Sequence, residues 1–227
     1  SLGEMARLIL LLVLVASLLP FVHLALAGWG VVSPGDLHVA NLLGMLILAG
    51  WLVLLVWAFT SAKAIRFSTA LGLSVPRGLR GIAVGLRGYV TMFPWILGLL
   101  WLVARMCQEL GIRPPVEPIH ELLFLEDRGF VMGLAVAFAC VLAPIVEELF
   151  FRAVLFAAVR RHTSRVVAML ISGTVFAAAH TNLIGFLPIL ALGCLLADLY
   201  ERTGTLLSPI VVHVVHNSLL IGLGLLV

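Results

Sequence analysis

The chain has 227 residues, of which 63% are hydrophobic and 11% charged, with a formal net charge of +3, and its mean hydropathy is +1.20. Soluble domains are about one-quarter charged, so this composition excludes an ordinary water-soluble fold, and no basic stripe with interleaved aromatics supports nucleic-acid binding. Cys107, Cys140 and Cys194 are odd in number and widely spaced, which argues against a disulfide framework and a thiolate zinc site.

Crossing a ~30 Å hydrocarbon core takes about 20 helical residues, and uncharged runs of that order divide the chain into an all-α bundle of about seven transmembrane helices. The first run, Leu8 to Leu26, is signal-peptide-like in composition but continues past Pro20 without a clear cleavage pattern, so it is read as a span. A turn at Ser33-Pro34-Gly35-Asp36 leads to the second span, Leu42 to Phe59. A basic connector then carries Lys63, Arg66, Arg77, Arg80 and Arg87, with a short interfacial helix predicted over Pro76 to Gly85. The third span is Tyr89 to Ala104. The polar segment Arg105 to Arg128, with Pro114-Pro115 and Pro118, reads as a surface or re-entrant loop and a candidate lid.

Phe130 to Arg160 is too long for one plain span, since about 30 helical residues reach ~45 Å, and Pro144 predicts a kink with a released carbonyl one turn earlier. Spans from Val166 to His180, Leu183 to Tyr200 and Leu206 to Val227 complete the set, the last two separated by Thr203-Gly204-Thr205. The whole chain, 1–227, reads as a single membrane domain: N-terminal spans and polar loop over 8–129, chemistry-bearing helices over 130–227. Lys and Arg gather in the connectors at Lys63 to Arg87, Arg160 to Arg165 and Glu201-Arg202. The positive-inside rule therefore puts the N-terminus in the cytoplasm.

Charged groups at membrane depth are costly and mark function by default. Glu148 and Arg152 are four apart with the carboxylate first, the favourable order for an intrahelical ion pair. Glu147 points about 100° away around the helix, which leaves it free to act as a general base. The alternative is an ion cluster that only joins helices. His180 follows Phe176 on one helical face. If the two helices form a hairpin turning near Thr163, Glu147 lies sixteen residues before the turn and His180 seventeen after it, at nearly one depth. His213 and Asn217 are four apart and share a face suited to oxyanion stabilisation, or to an interhelical polar ladder. His216 lies on a neighbouring face and reads as a spectator. Counted from the Gly204 turn, His213 is expected to lie shallower than His180.

Glu147-Glu148-x-x-x-Arg152, Phe176-x-x-x-His180 and His213-x-x-x-Asn217, in that order on successive segments, resemble the three motifs of the CAAX prenyl endopeptidase and bacteriocin-processing (CPBP or Abi) intramembrane proteases. Tyr200 to Leu206 is similar to that family's approach to its third motif. The resemblance covers Phe130 to Asn217. It implies an endopeptidase of a prokaryotic plasma membrane, acting near the C-terminal tail of a membrane-anchored or lipidated protein. In that reading Glu147 and His180 activate water, His213 and Asn217 form the oxyanion site, and Glu148 with Arg152 support the first Glu. No cofactor is expected; zinc on Glu147, His180 and His213 is the alternative, because two His and a carboxylate match an open zinc site in ligand type. A non-catalytic membrane binding or immunity protein on the same scaffold is the competing function, and a proton-relay transporter would need paired repeats that are not evident.

Overall fold

A computed structural model describes residues 37–62, 75–112, 129–180 and 185–225, together with Gly3, Arg7, Ala25, Gly28 and Trp29. Six helices and no strand occur among the described residues: α1 (Leu37–Ala62), α2 (Val75–Glu109), α3 (Gly129 to Arg160, in five consecutive segments), α4 (Arg165–Ala179), α5 (Phe186–Thr203) and α6 (Leu207–Leu225). The predicted first span, the Ser33–Asp36 turn and most of the candidate lid lie outside the described residues.

α5 is the hub, packing against α2, α4 and α6, while α6 also packs on α2 and on α3, and α1 leans on the middle of α3. Buried Leu192, Leu196 and Leu199 of α5 join Tyr89 and Ile96 of α2 and Val212 of α6. Phe151, Leu155, Phe156 and Val159 of α3 pack with Ala168 and Phe176 of α4. The outer surface is strongly apolar: Trp95, Trp101, Val90 and Leu79 of α2 are each more than 60% exposed. Water would penalise such a surface; hydrocarbon does not. Gly78–Glu109 and Met132–Arg160 are each long and apolar enough to cross a membrane. At 15 residues, α4 reaches only ~22 Å, so the predicted fifth span stops short of a ~30 Å core, and His180 caps its end.

α2 corrects the predicted connector, because the interfacial helix and the third span are one helix of 35 residues with Pro94 inside it. The glycines that read as connector instead form a smooth face at positions 78, 81, 85 and 88. A Cβ at Gly85 would lie 2.7 Å from Ser208 Oγ and 3.2 Å from Ser208 O, so Gly78, Gly81 and Gly85 let the start of α6 approach closely, as small residues do between membrane helices, while Gly88 faces Leu195 and Leu199 of α5. Arg105 to Glu109, expected in the loop, complete α2, and the chain then turns at Gly111 with φ of 68°.

α3 is overlong, as its apolar run predicts, but Pro144 sits in a widened helix. Two π segments, Phe138–Leu142 and Leu149–Phe156, alternate with α-helical turns, and the Ala143 N–H bonds Phe138 O five residues back. The α3–α4 turn is the predicted hairpin. Ser164 caps α4 by accepting from the Val167 N–H at 3.4 Å. Arg160 pairs with Glu201 at 2.8 Å, and Arg165 and Arg202 both pair with Asp198. The basic end of the bundle is thus tied to the end of α5, where Gly204 adopts φ of 63° to reverse the chain.

The closest helix crossing joins α4 to α5. A Cβ on Gly193 would stand 3.0 Å from Gly173 Cα and 3.1 Å from Phe176 Cδ1. Gly193→Val should therefore lower stability by about 3 kcal/mol, the upper range for overpacking, read as a reduced thermal midpoint in detergent. An unchanged midpoint would show that α4 and α5 do not touch here.

Candidate active site

Consecutive residues Glu147 and Glu148 lie where α3 passes from its α-helical turn into the second π segment, and they meet different surroundings. Glu148 is fully buried, with Oε1 2.9 Å from both Arg152 Nη1 and His213 Nδ1. The His213 contact is a hydrogen bond. The Arg152 contact has the distance of an ion pair without hydrogen-bond angles, since Nη1 counts among the atoms lacking such a partner. Arg152, also fully buried, donates from Nη2 to Gly193 O at 3.2 Å and stacks 4.6 Å from the Phe176 ring centre. The expected Glu148–Arg152 pair is present, and it extends to His213, a link that residue spacing within one helix could not reveal.

Glu147 keeps its Oε2 buried and without a hydrogen-bond partner. Nε2 of His180 lies 3.9 Å from it and Nε2 of His213 3.7 Å. Both separations exceed direct hydrogen-bond range yet allow one water to bridge. His180 Nδ1 is 2.8 Å from Phe176 O. A carbonyl can only accept, so this nitrogen carries the hydrogen and a neutral ring presents a bare Nε2 lone pair to Glu147. A neutral His213 that donates Nδ1–H to Glu148 likewise presents a bare Nε2; only its imidazolium form donates from both nitrogens. Phe176 packs against both imidazoles, at 4.6 Å from His180 and 5.6 Å from His213.

His213 is not shallower than the rest of the site. The residues that lead into α6, Thr205 and Leu206, pack inside the bundle, and His213 Nε2 comes within 3.7 Å of Glu147 Oε2. Asn217 donates from Nδ2 to Ala139 O at 2.9 Å. The reason lies in the π segment: its i+5 register would pair Ala139 O with residue 144, which is proline and has no N–H. The released carbonyl is thus one residue earlier than α-helical counting puts it, and Asn217 satisfies it with one of two N–H groups.

These side chains line a cavity of about 910 Å³ whose remaining walls are mainly apolar, including Leu52, Ile96, Phe138 and Leu192. His216, read as a spectator, also lines it, with Nδ1 3.0 Å from the Tyr89 hydroxyl. Among the described residues no group of three His, Cys, Asp or Glu side chains is arranged to hold a metal ion, although Glu147, His180 and His213 are zinc-type ligands.

Residues 129–219 match the family model described as "Type II CAAX prenyl endopeptidase Rce1-like". This segment is similar to Rce1-like CAAX prenyl endopeptidases. It holds Glu147, Glu148, Arg152, Phe176, His180, His213, His216 and Asn217, while Tyr89 and the cavity residues of α1 and α2 lie outside it. A stretch of 88 residues is 33% identical to the Bacillus subtilis (strain 168) protein named "Putative membrane peptidase YdiL", covering 39% of this chain and 36% of that one. The match thus spans about a third of the relative's length. No solved structure gives a significant match. An Rce1-like segment within an all-helical chain with two membrane-length helices makes this a membrane protein.

Removing Glu148 would strand the Arg152 cation and the His213 N–H together. Breaking a buried pair in this way costs about 3–5 kcal/mol. Glu148→Ala should therefore lower the thermal midpoint in detergent sharply, and parental stability in that variant would refute the linkage.

Proposed function

We propose that the protein is an intramembrane endopeptidase that hydrolyses a peptide bond near the C-terminal tail of a membrane-anchored or lipidated protein. The observation that carries this reading is the buried, unpartnered Glu147 Oε2, flanked by two imidazole Nε2 atoms at the wall of a mostly apolar cavity. Its name-bearing relative and its Rce1-like segment support the same class of reaction.

In the proposed reaction a water bridges Glu147 Oε2 and His180 Nε2. Glu147 takes one proton as the water oxygen attacks the scissile carbonyl carbon. Negative charge then develops on the carbonyl oxygen, where the second Asn217 N–H and a doubly protonated His213 donate; such preorganised donors contribute several kcal/mol in a dry site. Collapse of the tetrahedral intermediate breaks the C–N bond, and Glu147 returns its proton to the leaving amine. A new carboxylic acid and a free amine result, and the acid passes its remaining proton to the bare Nε2 of His180, leaving a carboxylate. Glu148, with Arg152 behind it, holds His213 in place, and the Phe176 carbonyl keeps the His180 lone pair facing the water.

Glu147→Gln keeps the volume and removes the base. It should abolish cleavage of lipidated tail peptides in proteoliposomes, read by mass spectrometry, without lowering the thermal midpoint. Normal turnover by this variant would sink the assignment.

The reading is metal-independent, with Asn217 and His213 stabilising charge that zinc would otherwise carry. Activity should persist in strong chelator, and elemental analysis should find well below one zinc per chain. Stoichiometric zinc, with chelator inhibition reversed by its return, would transfer Glu147, His180 and His213 to a metal site.

Basic residues at the Arg160 to Arg165 turn and at Arg202 support a cytoplasmic position for that end of the bundle. Glu147 is thirteen residues, about 20 Å at ~1.5 Å per residue, along α3 from its basic end at Arg160. We therefore place the opening toward the non-cytoplasmic leaflet. In a cysteine-free background, single cysteines at Glu117 and Thr163 should label from outside only at Glu117. Outside labelling at Thr163 would invert the orientation.

A further inference from the structure

His216 takes no part in the reaction above, yet it stands on the cavity wall between the two groups of α6 that do. It is three residues after His213 and one before Asn217, it is only 7% exposed, and the exposure it has faces the cavity. Its partner comes from a different helix. Tyr89 of α2 is 3% exposed, sets its ring edge against the imidazole at 5.8 Å and 89°, and brings its hydroxyl to 3.0 Å from Nδ1. Phe93, with its ring 5.2 Å away, packs on the tyrosine.

From this contact we assign the ring hydrogen of His216. Tyr89 belongs to the apolar cluster of Ile96, Leu192, Leu196, Leu199 and Val212 and is 3% exposed, and His216 Nδ1 is the hydrogen-bond partner of its hydroxyl. A buried hydroxyl with one acceptor in reach donates to it, because otherwise its hydrogen would be stranded. Nδ1 therefore accepts, and a neutral His216 carries its hydrogen on Nε2, at the other edge of the ring. Nε2 is not among the buried atoms lacking a partner, and no protein group bonds it among the described residues. It is a cavity-facing donor.

A peptide in this cavity exchanges water for apolar walls, and each carbonyl left without a donor carries a desolvation penalty. We infer that His216, oriented by Tyr89, donates its Nε2–H to a backbone carbonyl of the bound peptide beside the scissile bond, and so positions the substrate. The inference rests on the peptidase reading. It assigns His216 to substrate binding, separate from the charge-stabilising pair His213 and Asn217. It also gives α2, which lies outside the Rce1-like segment, a direct hand in substrate recognition.

A neutral carbonyl accepts this bond in the ground state and the transition state alike, so its loss should fall on KM, with kcat little changed. Two measurements on the full chain test this. Nitrogen-15 spectra of histidine-labelled protein in micelles should show His216 hydrogen on Nε2, with its resonances shifted by Tyr89→Phe; hydrogen on Nδ1 would overturn the inference without any substrate. Steady-state cleavage of the tail peptide that the parent turns over fastest should show KM raised about tenfold in Tyr89→Phe and His216→Leu, the loss of one neutral hydrogen bond. His216→Gln, which keeps an N–H donor, should recover most of it. Unchanged KM in all three variants, or a loss confined to kcat, would overturn the role of His216 while leaving the peptidase reading intact. A parent protein that cleaves no tail peptide would remove the peptidase reading itself.

Discussion

Two opposite charges held without water at membrane depth impose the strongest constraint on this molecule. Glu148 and Arg152 have no exposure, and an isolated ion there would be expensive. Their surroundings follow from that demand. Arg152 needs more than one carboxylate oxygen, and it finds the Gly193 carbonyl and the Phe176 ring. Gly193 can offer its carbonyl at that depth only because α4 and α5 approach through Gly173 and Gly193. Glu148 also needs more than one donor and finds His213. The ion pair thereby fixes the relative placement of α3, α4, α5 and α6, and leaves Glu147, one residue earlier and turned the other way, outside the Glu148–Arg152 pair.

Proline 144 is the second organising feature. In water the defect it leaves would be hydrated; in a membrane interior the protein must supply the donor itself. The π register moves the defect to Ala139, and Asn217 fills it. An amide that reads as a catalytic donor is thus also a structural one, and its orientation is set by a backbone carbonyl. Precise placement of the remaining N–H costs nothing further, since the defect already demands the first. The same economy applies to His180, whose tautomer is set by the carbonyl one turn before it.

Much of this was legible in the residues. The apolar runs marked most of the helices, and the Glu148–Arg152 spacing marked the pair. Nearly equal residue counts on either side of Thr163, sixteen and seventeen, put Glu147 and His180 at about one depth, and they lie 3.9 Å apart. Long-range contacts were not legible. Nothing in the spacing joins His213 to Glu148 or Tyr89 to His216, because each pair depends on how separate helices rotate against one another. The start of α2 misled for a related reason: its basic residues marked a connector, whereas Gly78, Gly81 and Gly85 give that segment a packing face within one long helix. Pro144 signalled a released carbonyl, but only the π register selects Ala139.

The central claim is that Glu147, His180 and His213 surround a reactive water, and an experimental structure at a resolution that orders solvent tests it most directly. The expected result is a single solvent molecule within hydrogen-bond distance of Glu147 Oε2 and His180 Nε2, with His213 Nδ1 on Glu148. A Glu147 carboxylate turned onto Arg152, or imidazoles rotated away from it, would contradict the account.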